Sequence, residues 1–168
     1  MTSIPFTADL CDANEDRLAD GRLQVLAPGF LVLGRRPAFC GQAATLRLFE
    51  DNAALVDLLK SPGEGRVLVV DGGGSRRCAL FGGNLAATAA KSGWAGLIIH
   101  GSVRDVHEIE LCDIGVRALA LNPRRAGKRG GGDIGVTVAL PGVLVRTGDW
   151  VYADRDGVLI SHEALHLA

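Results

Sequence analysis

The sequence predicts a mixed α/β sandwich in a single domain, and three features predict it. Val67 to Val70 is an uninterrupted run of Val and Leu, the pattern of a strand buried on both faces. Helix-forming stretches all lie before residue 112 and are too few for a doubly wound sheet with a helix after each strand. From Ile134 onward, short apolar or alternating stretches follow one another between Pro, Gly and Asp turns, which reads as a series of hairpins. A chain of 168 residues encloses a sizeable core as one unit, residues 1–168.

Taken in order, Thr7 to Ala19 is expected to be a short helix capped at Thr7 or Asp9, with Leu10, Ala13 and Leu18 inward. Leu23 to Leu26 and Phe30 to Leu33 are short strands separated by Pro28-Gly29. Ala38 to Phe49 alternates, with Ala44, Leu46 and Leu48 on one face and Thr45 and Arg47 on the other, so a strand is expected. Asp51-Asn52 ends it and caps a helix from Ala53 to Lys60, which Ser61-Pro62-Gly63 stops.

The stretch from Val67 to Asp105 organises the rest. After the Val67 strand and the Asp71 to Gly74 turn, Gly82-Gly83 precedes Asn84, a helix N-cap, and a helix from Leu85 to Lys91. Leu97 to Ile99 is the next strand, and Gly101-Ser102-Val103 carries the chain to Arg104 and Asp105. The first turn of a helix offers N–H groups without intrahelical partners, and ligands in open α/β sheets gather beyond the carboxyl ends of strands. Arg104 brings a fork of donors suited to a carboxylate, and Asp105 a hard oxygen ligand for a small cation. Together they make a site for an anionic, metal-chelating small molecule. On these residues alone, a plain surface turn accounts for them equally well.

Beyond Asp105, Val106 to Leu111 is a helical turn and Val116 to Leu121 a strand. Arg124 to Gly132 (RRAGKRGGG) is a basic loop without the interleaved aromatics that stack on bases. A surface loop or subunit contact is expected there, without direct nucleic-acid binding. Ile134 to Leu140, Val143 to Arg146, Trp150 to Ala153 and Val158 to Ile160 are the closing strands. Asp149, Asp154 and Asp156 read as turn residues, and His162 and His166 as part of a frayed tail. There is no internal repeat and no low-complexity linker.

Composition excludes several function classes. Hydrophobic residues are 48%, charged residues 22% and the net charge is -1, a balance with no general attraction to nucleic acid or membrane. The N-terminus lacks the basic start and apolar core of a signal peptide, and no apolar run is long enough to span a bilayer. A cytoplasmic protein is expected. Cys11, Cys40, Cys78 and Cys112 are too scattered for a zinc site or a disulfide framework. The glycine turns match neither a Walker A loop nor a full dinucleotide fingerprint. His100 and His107 flank the Arg104-Asp105 pair, and structural or solvated roles are expected for both.

Six stretches together carry a resemblance. They are ADLCDA at Ala8 to Ala13, FCGQAATLRLFEDNAALVDLL at Phe39 to Leu59 and VLVVDGGGSRRCAL at Val67 to Leu80, then AAKSGWAGLIIHGSVRDV at Ala89 to Val106, DIGVRALALNPRR at Asp113 to Arg125 and GDWVYADRDGVLIS at Gly148 to Ser161. The chain resembles the RraA-like family, which contains the regulator of ribonuclease E activity A and the metal-dependent aldolases for 4-hydroxy-4-methyl-2-oxoglutarate and 4-carboxy-4-hydroxy-2-oxoadipate. The resemblance implies a swivelling β/β/α sandwich, a ring-shaped homotrimer and a divalent cofactor, Mg²⁺ or Mn²⁺. It implies Asp105 as the metal ligand, Arg104 on the keto oxygen and carboxylate of a 2-oxo acid, and the Gly82, Gly83, Asn84 and Leu85 backbone around the carboxylate. Pyruvate release would follow, with oxaloacetate decarboxylation as a side activity. The regulator branch implies the alternative, a protein that binds ribonuclease E and inhibits it without chemistry. One departure stands out. The aldolase signature has an Asp, twenty residues, then Arg-Asp, and Gly83 stands at the Asp position. Asn84 is a candidate to take over as a water ligand.

Overall fold

The structure, a computed structural model, describes residues 4–166. A twisted sheet runs through it in the order β1 (Leu23–Val25), β12 (Val158–Ser161), β11 (Trp150–Ala153), β3 (Phe39–Arg47), β4 (Val67–Asp71), β6 (Gly96–Val103), β7 (Gly115–Leu121) and β2 (Leu31–Leu33). The long β3 holds its two halves together. Phe39 to Gln42 pair antiparallel with β11, whereas Ala43 to Arg47 pair parallel with β4. Strands β4, β6 and β7 continue in parallel.

The Val67 run is buried on both sides as its composition requires. Leu68 and Val70 pack with Leu46, Leu97, Ile99 and the helices α3 (Ala53–Lys60) and α4 (Gly83–Lys91), burying Leu55, Leu59, Ala86 and Ala89. Val67 and Val69 face the opposite way, into a core with Ile98, Val151, Ile160 and the hairpin of β9 (Val138–Leu140) and β10 (Val143–Val145). Period-two alternation thus feeds two cores from one strand. The layers are helix, sheet and hairpin, the expected β/β/α arrangement.

Several local expectations are corrected. The first helix is two, α1 (Thr7–Asp12) and α2 (Glu15–Ala19), and Ala13 between them is exposed. Asn14 breaks the run by turning its side-chain amide back to the Leu10 carbonyl at 2.8 Å. Thr7 is not the cap: Phe6 is, and the Thr7 hydroxyl and amide both donate to Asp154 at 2.7 Å. Asn52 stands at the α3 N-cap, but its amide donates to the Leu80 carbonyl at 2.9 Å and the Asp51 carboxylate caps instead, accepting from Ala53 N–H at 3.0 Å. Ile134 to Leu140 is interrupted, β8 (Asp133–Ile134) leaving β3 before β9 begins, because Gly135 turns with φ +78° and donates to Thr45 O. The tail is docked rather than frayed as far as Leu165, whose N–H donates to the Tyr152 hydroxyl at 2.7 Å.

Arg117 is a buried cation of the fold itself. It lies 1% exposed in β7 over the Phe39 ring, and donates to the carbonyls of Pro37 at 2.5 Å and Asp154 at 2.7 Å. Burial pulls its pKa down to about 10, and the Asp154 carboxylate only partly offsets the loss of water.

Candidate active site

Strand β5 (Ala79–Phe81), which the sequence reading left inside a glycine-rich turn, brings the site together. It pairs parallel with the far end of β6, which runs on through Ser102 and Val103, and the Phe81 carbonyl accepts from the Arg104 N–H at 2.9 Å. The chain leaving β5 at Gly82 and the chain leaving β6 at Arg104 therefore emerge side by side. Helix α4 starts from the first, and α5 (Val106–Ile109) from the second.

Gly82, and not Asn84, is the N-cap of α4, with Asn84 inside its first turn. The first intrahelical bond runs from Ala86 N–H to Gly82 O at 3.0 Å, so the amides of Gly83, Asn84 and Leu85 have no acceptor within the helix. Three donors at the positive end of a helix suit a carboxylate.

Asp105 stands at the start of α5 in the left-handed region, φ +58° and ψ +45°, without a side-chain cap bond. That backbone is sparsely populated for residues with a Cβ and is best tolerated by Asn and Asp. It turns the carboxylate toward Gly82 instead of the α5 amides. A Cβ at Gly82 would come within 2.8 Å of Asp105 Oδ2 and 3.3 Å of Arg104 Cγ. Arg104 Nε lies 3.8 Å from Asp105 Oδ2, and its Nη1 donates to the Pro123 carbonyl at 3.3 Å. The Arg104 and Asp105 side chains are 40% and 42% exposed, so both remain open to a ligand.

All six predicted residues, Gly82, Gly83, Asn84, Leu85, Arg104 and Asp105, line one cleft of about 230 Å³. Asn52, Val56, Phe81, Arg125 and Lys128 contribute to its other walls. His100 is not among them. It is half-buried on β6, with Nδ1 3.9 Å from Asp71 Oδ1 and its ring 6.2 Å from that of Phe30. Burial lowers its pKa and the Asp71 carboxylate only partly offsets this. His107 is exposed, with Nε2 3.8 Å from Glu108 Oε1. The four cysteines are free thiols.

Glu108 is the residue the sequence reading missed. A Cβ at Gly83 would sit 1.8 Å from Glu108 Oε2 and 2.5 Å from Glu108 Cβ. The Glu108 carboxylate thus fills the space into which an aspartate at position 83 would project. A usable signal was present: a Gly at the signature position together with an acidic residue three places after Asp105, one turn along a helix and on the same side.

The chain is similar to known proteins along nearly its whole length. A family model described as RraA-like, Aldolase/RraA, matches residues 7–160. A protein of Cupriavidus necator named "Putative 4-hydroxy-4-methyl-2-oxoglutarate aldolase" is 56% identical over 161 residues, covering 96% of this chain and 98% of that one. One of the same name from Cupriavidus taiwanensis is 55% identical with the same coverage. Among solved structures, the RNA-processing inhibitor RraA from Thermus thermophilis superposes with a TM-score of 0.89 at 42% identity, over 96% of this chain and 94% of that one. The family model and these relatives cover nearly the whole length, and the chain belongs to the RraA-like family.

Proposed function

We propose that this protein is a divalent-metal-dependent carbon–carbon lyase. It cleaves 4-hydroxy-4-methyl-2-oxoglutarate, or 4-carboxy-4-hydroxy-2-oxoadipate, to pyruvate and a second 2-oxo acid, and decarboxylates oxaloacetate as a side activity. One observation carries the reading: Asp105, Arg104 and the free amides at Gly83 to Leu85 converge on one cleft, with the Glu108 carboxylate against Gly83. The names of the two Cupriavidus relatives support it.

The donor set fits Mg²⁺ or Mn²⁺. Among the described residues no group of three or more His, Cys, Asp or Glu side chains gathers as a metal cage, and Asp105 with Glu108 offers two carboxylates. Mg²⁺ is commonly held through one or two carboxylates, keeping water and substrate oxygens for the remaining positions. Asp105, which lines the cleft, would hold the cation. When bound, the cation supplies Lewis-acid stabilisation of negative charge on the substrate's 2-oxo oxygen.

The protein's own groups do the rest. The Gly83, Asn84 and Leu85 amides bind the carboxylate next to the keto group and fix the direction of the substrate. Arg104 places positive charge where the 2-oxo oxygen gathers electrons as the C–C bond breaks. The substrate's hydroxyl proton must leave in the same step, and Glu108 supplies the carboxylate to take it, directly or through water. Homotrimeric assembly and a cytoplasmic location belong to the same proposal.

Pyruvate release, followed with lactate dehydrogenase, tests it. Purified protein with Mg²⁺ or Mn²⁺ should release pyruvate from both 4-hydroxy-4-methyl-2-oxoglutarate and oxaloacetate, and Asp105→Ala and Arg104→Ala should each lose at least about 100-fold. Background rates with the wild-type protein would defeat the proposal. A second reading, binding to ribonuclease E without chemistry, is favoured by the name of the Thermus structure. It requires capture of ribonuclease E by the wild type and equally by Asp105→Ala.

A further inference from the structure

The cleft of about 230 Å³ has a wall that the 2-oxo acid end of the substrate does not use. Its far wall belongs to the basic loop. There the backbone is pinned at successive points: Ala79 N–H donates to Arg124 O at 2.7 Å, Ala126 N–H to Ala79 O at 3.1 Å, Gly127 N–H to Glu50 O at 2.9 Å and Asn52 N–H to Gly127 O at 3.0 Å, and Arg129 N–H donates to the Asp51 carboxylate. The anchored stretch presents Arg125 and Lys128 to the cleft. Neither takes part in an ion pair among the described residues. Two cations without carboxylate partners, held on a fixed backbone and lining a site that already grips one carboxylate, are arranged for a second anionic group.

We infer that Arg125 and Lys128 form a distal carboxylate subsite, which recognises the acid group of the substrate farthest from its 2-oxo acid end. This rests on the lyase reading and deepens it. The near end, at Gly83 to Leu85, Arg104 and Asp105, binds any 2-oxo acid, and the loop selects those with a second carboxylate. Arg125 contributes a planar fork and Lys128 a point charge, so they set specificity without touching the bond that breaks.

The test compares a ligand that fills only the near end with one that reaches both. Oxalate, a small planar dianion, probes the near end as a competitive inhibitor, and 4-hydroxy-4-methyl-2-oxoglutarate reaches the loop. In Mg²⁺-loaded protein, Arg125→Gln and Lys128→Gln are each expected to lower kcat/KM for that substrate about tenfold, chiefly through KM, as loss of a charge-assisted hydrogen bond does. The oxalate inhibition constant should stay within twofold of wild type. An unchanged kcat/KM in the double variant would overturn the subsite while leaving the lyase intact. An equal loss for oxalate would also overturn it, by showing that the loop supports the whole cleft. If the wild type neither turns over substrate nor binds oxalate, the lyase reading itself has failed and the subsite falls with it.

Discussion

Exchanging the carboxylate between positions 83 and 108 is the most informative perturbation of this site. In Gly83→Asp alone, the new Cβ would lie 1.8 Å from Glu108 Oε2, so the Glu108 side chain must swing away. Overpacking of this kind costs about 1–3 kcal/mol. Two carboxylates about 4 Å apart at a half-exposed site add about 1–2 kcal/mol of repulsion, between the values for water and for a protein surface. A loss of about 2–5 kcal/mol is expected in urea unfolding. Glu108→Ala should fold normally but lower kcat for pyruvate release about 100-fold or more, as removal of a proton-transfer group does. The double variant Gly83→Asp/Glu108→Ala then has room for the new side chain, at a first-turn helix position where an aspartate is favourable. It should regain most of the stability and at least tenfold of the activity. The expected coupling energy is about 2 kcal/mol, measured as a double-mutant cycle. If Gly83→Asp proves as stable as wild type, or Glu108→Ala keeps full turnover, Glu108 does not stand in for the missing aspartate.

Gly82→Ala should fold, because φ -155° is ordinary extended backbone, yet its Cβ would press on Asp105 Oδ2 at 2.8 Å. It should therefore raise the Mg²⁺ concentration needed for half-maximal activity while leaving urea stability within about 1 kcal/mol of wild type. Asp154→Ala should destabilise by about 3 kcal/mol in the same assay, since a buried carboxylate there accepts from Thr7 N–H and hydroxyl, Asp156 N–H and Gly157 N–H. Burial alone would raise the Asp154 pKa, but these donors outweigh it and leave it below the ordinary carboxylate value. A depressed carboxyl binds fewer protons folded than unfolded, so its stabilisation is complete above about pH 4 and fades as pH falls through the folded pKa. That acid-side slope should shrink in Asp154→Ala. His100 adds a step of the same sign higher up: burial depresses its pKa, so stability should fall as pH drops below about 6.5, and His100→Gln should remove that step.

Much of this was readable in the sequence because the signals were local. The Val67 run announced a strand buried on both faces, and the helix from Ala53 to Lys60 had both stop signals in place. The Gly82 turn and the Arg104-Asp105 pair each end a strand, and neighbouring parallel strands present their carboxyl ends together. What escaped depended on contacts across the fold. Strand β5 is three residues long after a glycine turn and forms only because β6 continues far enough to pair with it. Thr7 looked like a cap until Asp154, far along the chain, claimed its donors. Glu108 and Gly83 meet only through that same β5 and β6 pairing, so the carboxylate that lies where an aspartate at position 83 would project comes from another turn. Lys128 and Arg125 read as loop surface because the anchors of their backbone lie in the Glu50 to Asn52 turn and β5.

In the proposed lyase, Asp105 would hold a divalent cation opposite the free amides of α4. Electron paramagnetic resonance of Mn²⁺ measures this without any turnover. Wild-type protein should remove the free Mn²⁺ signal in a titration that saturates at one ion per chain and tightens with oxalate, whereas folded Asp105→Ala should leave the signal near its protein-free level. Mn²⁺ binding of equal strength by Asp105→Ala, or none by the wild type, would contradict the account.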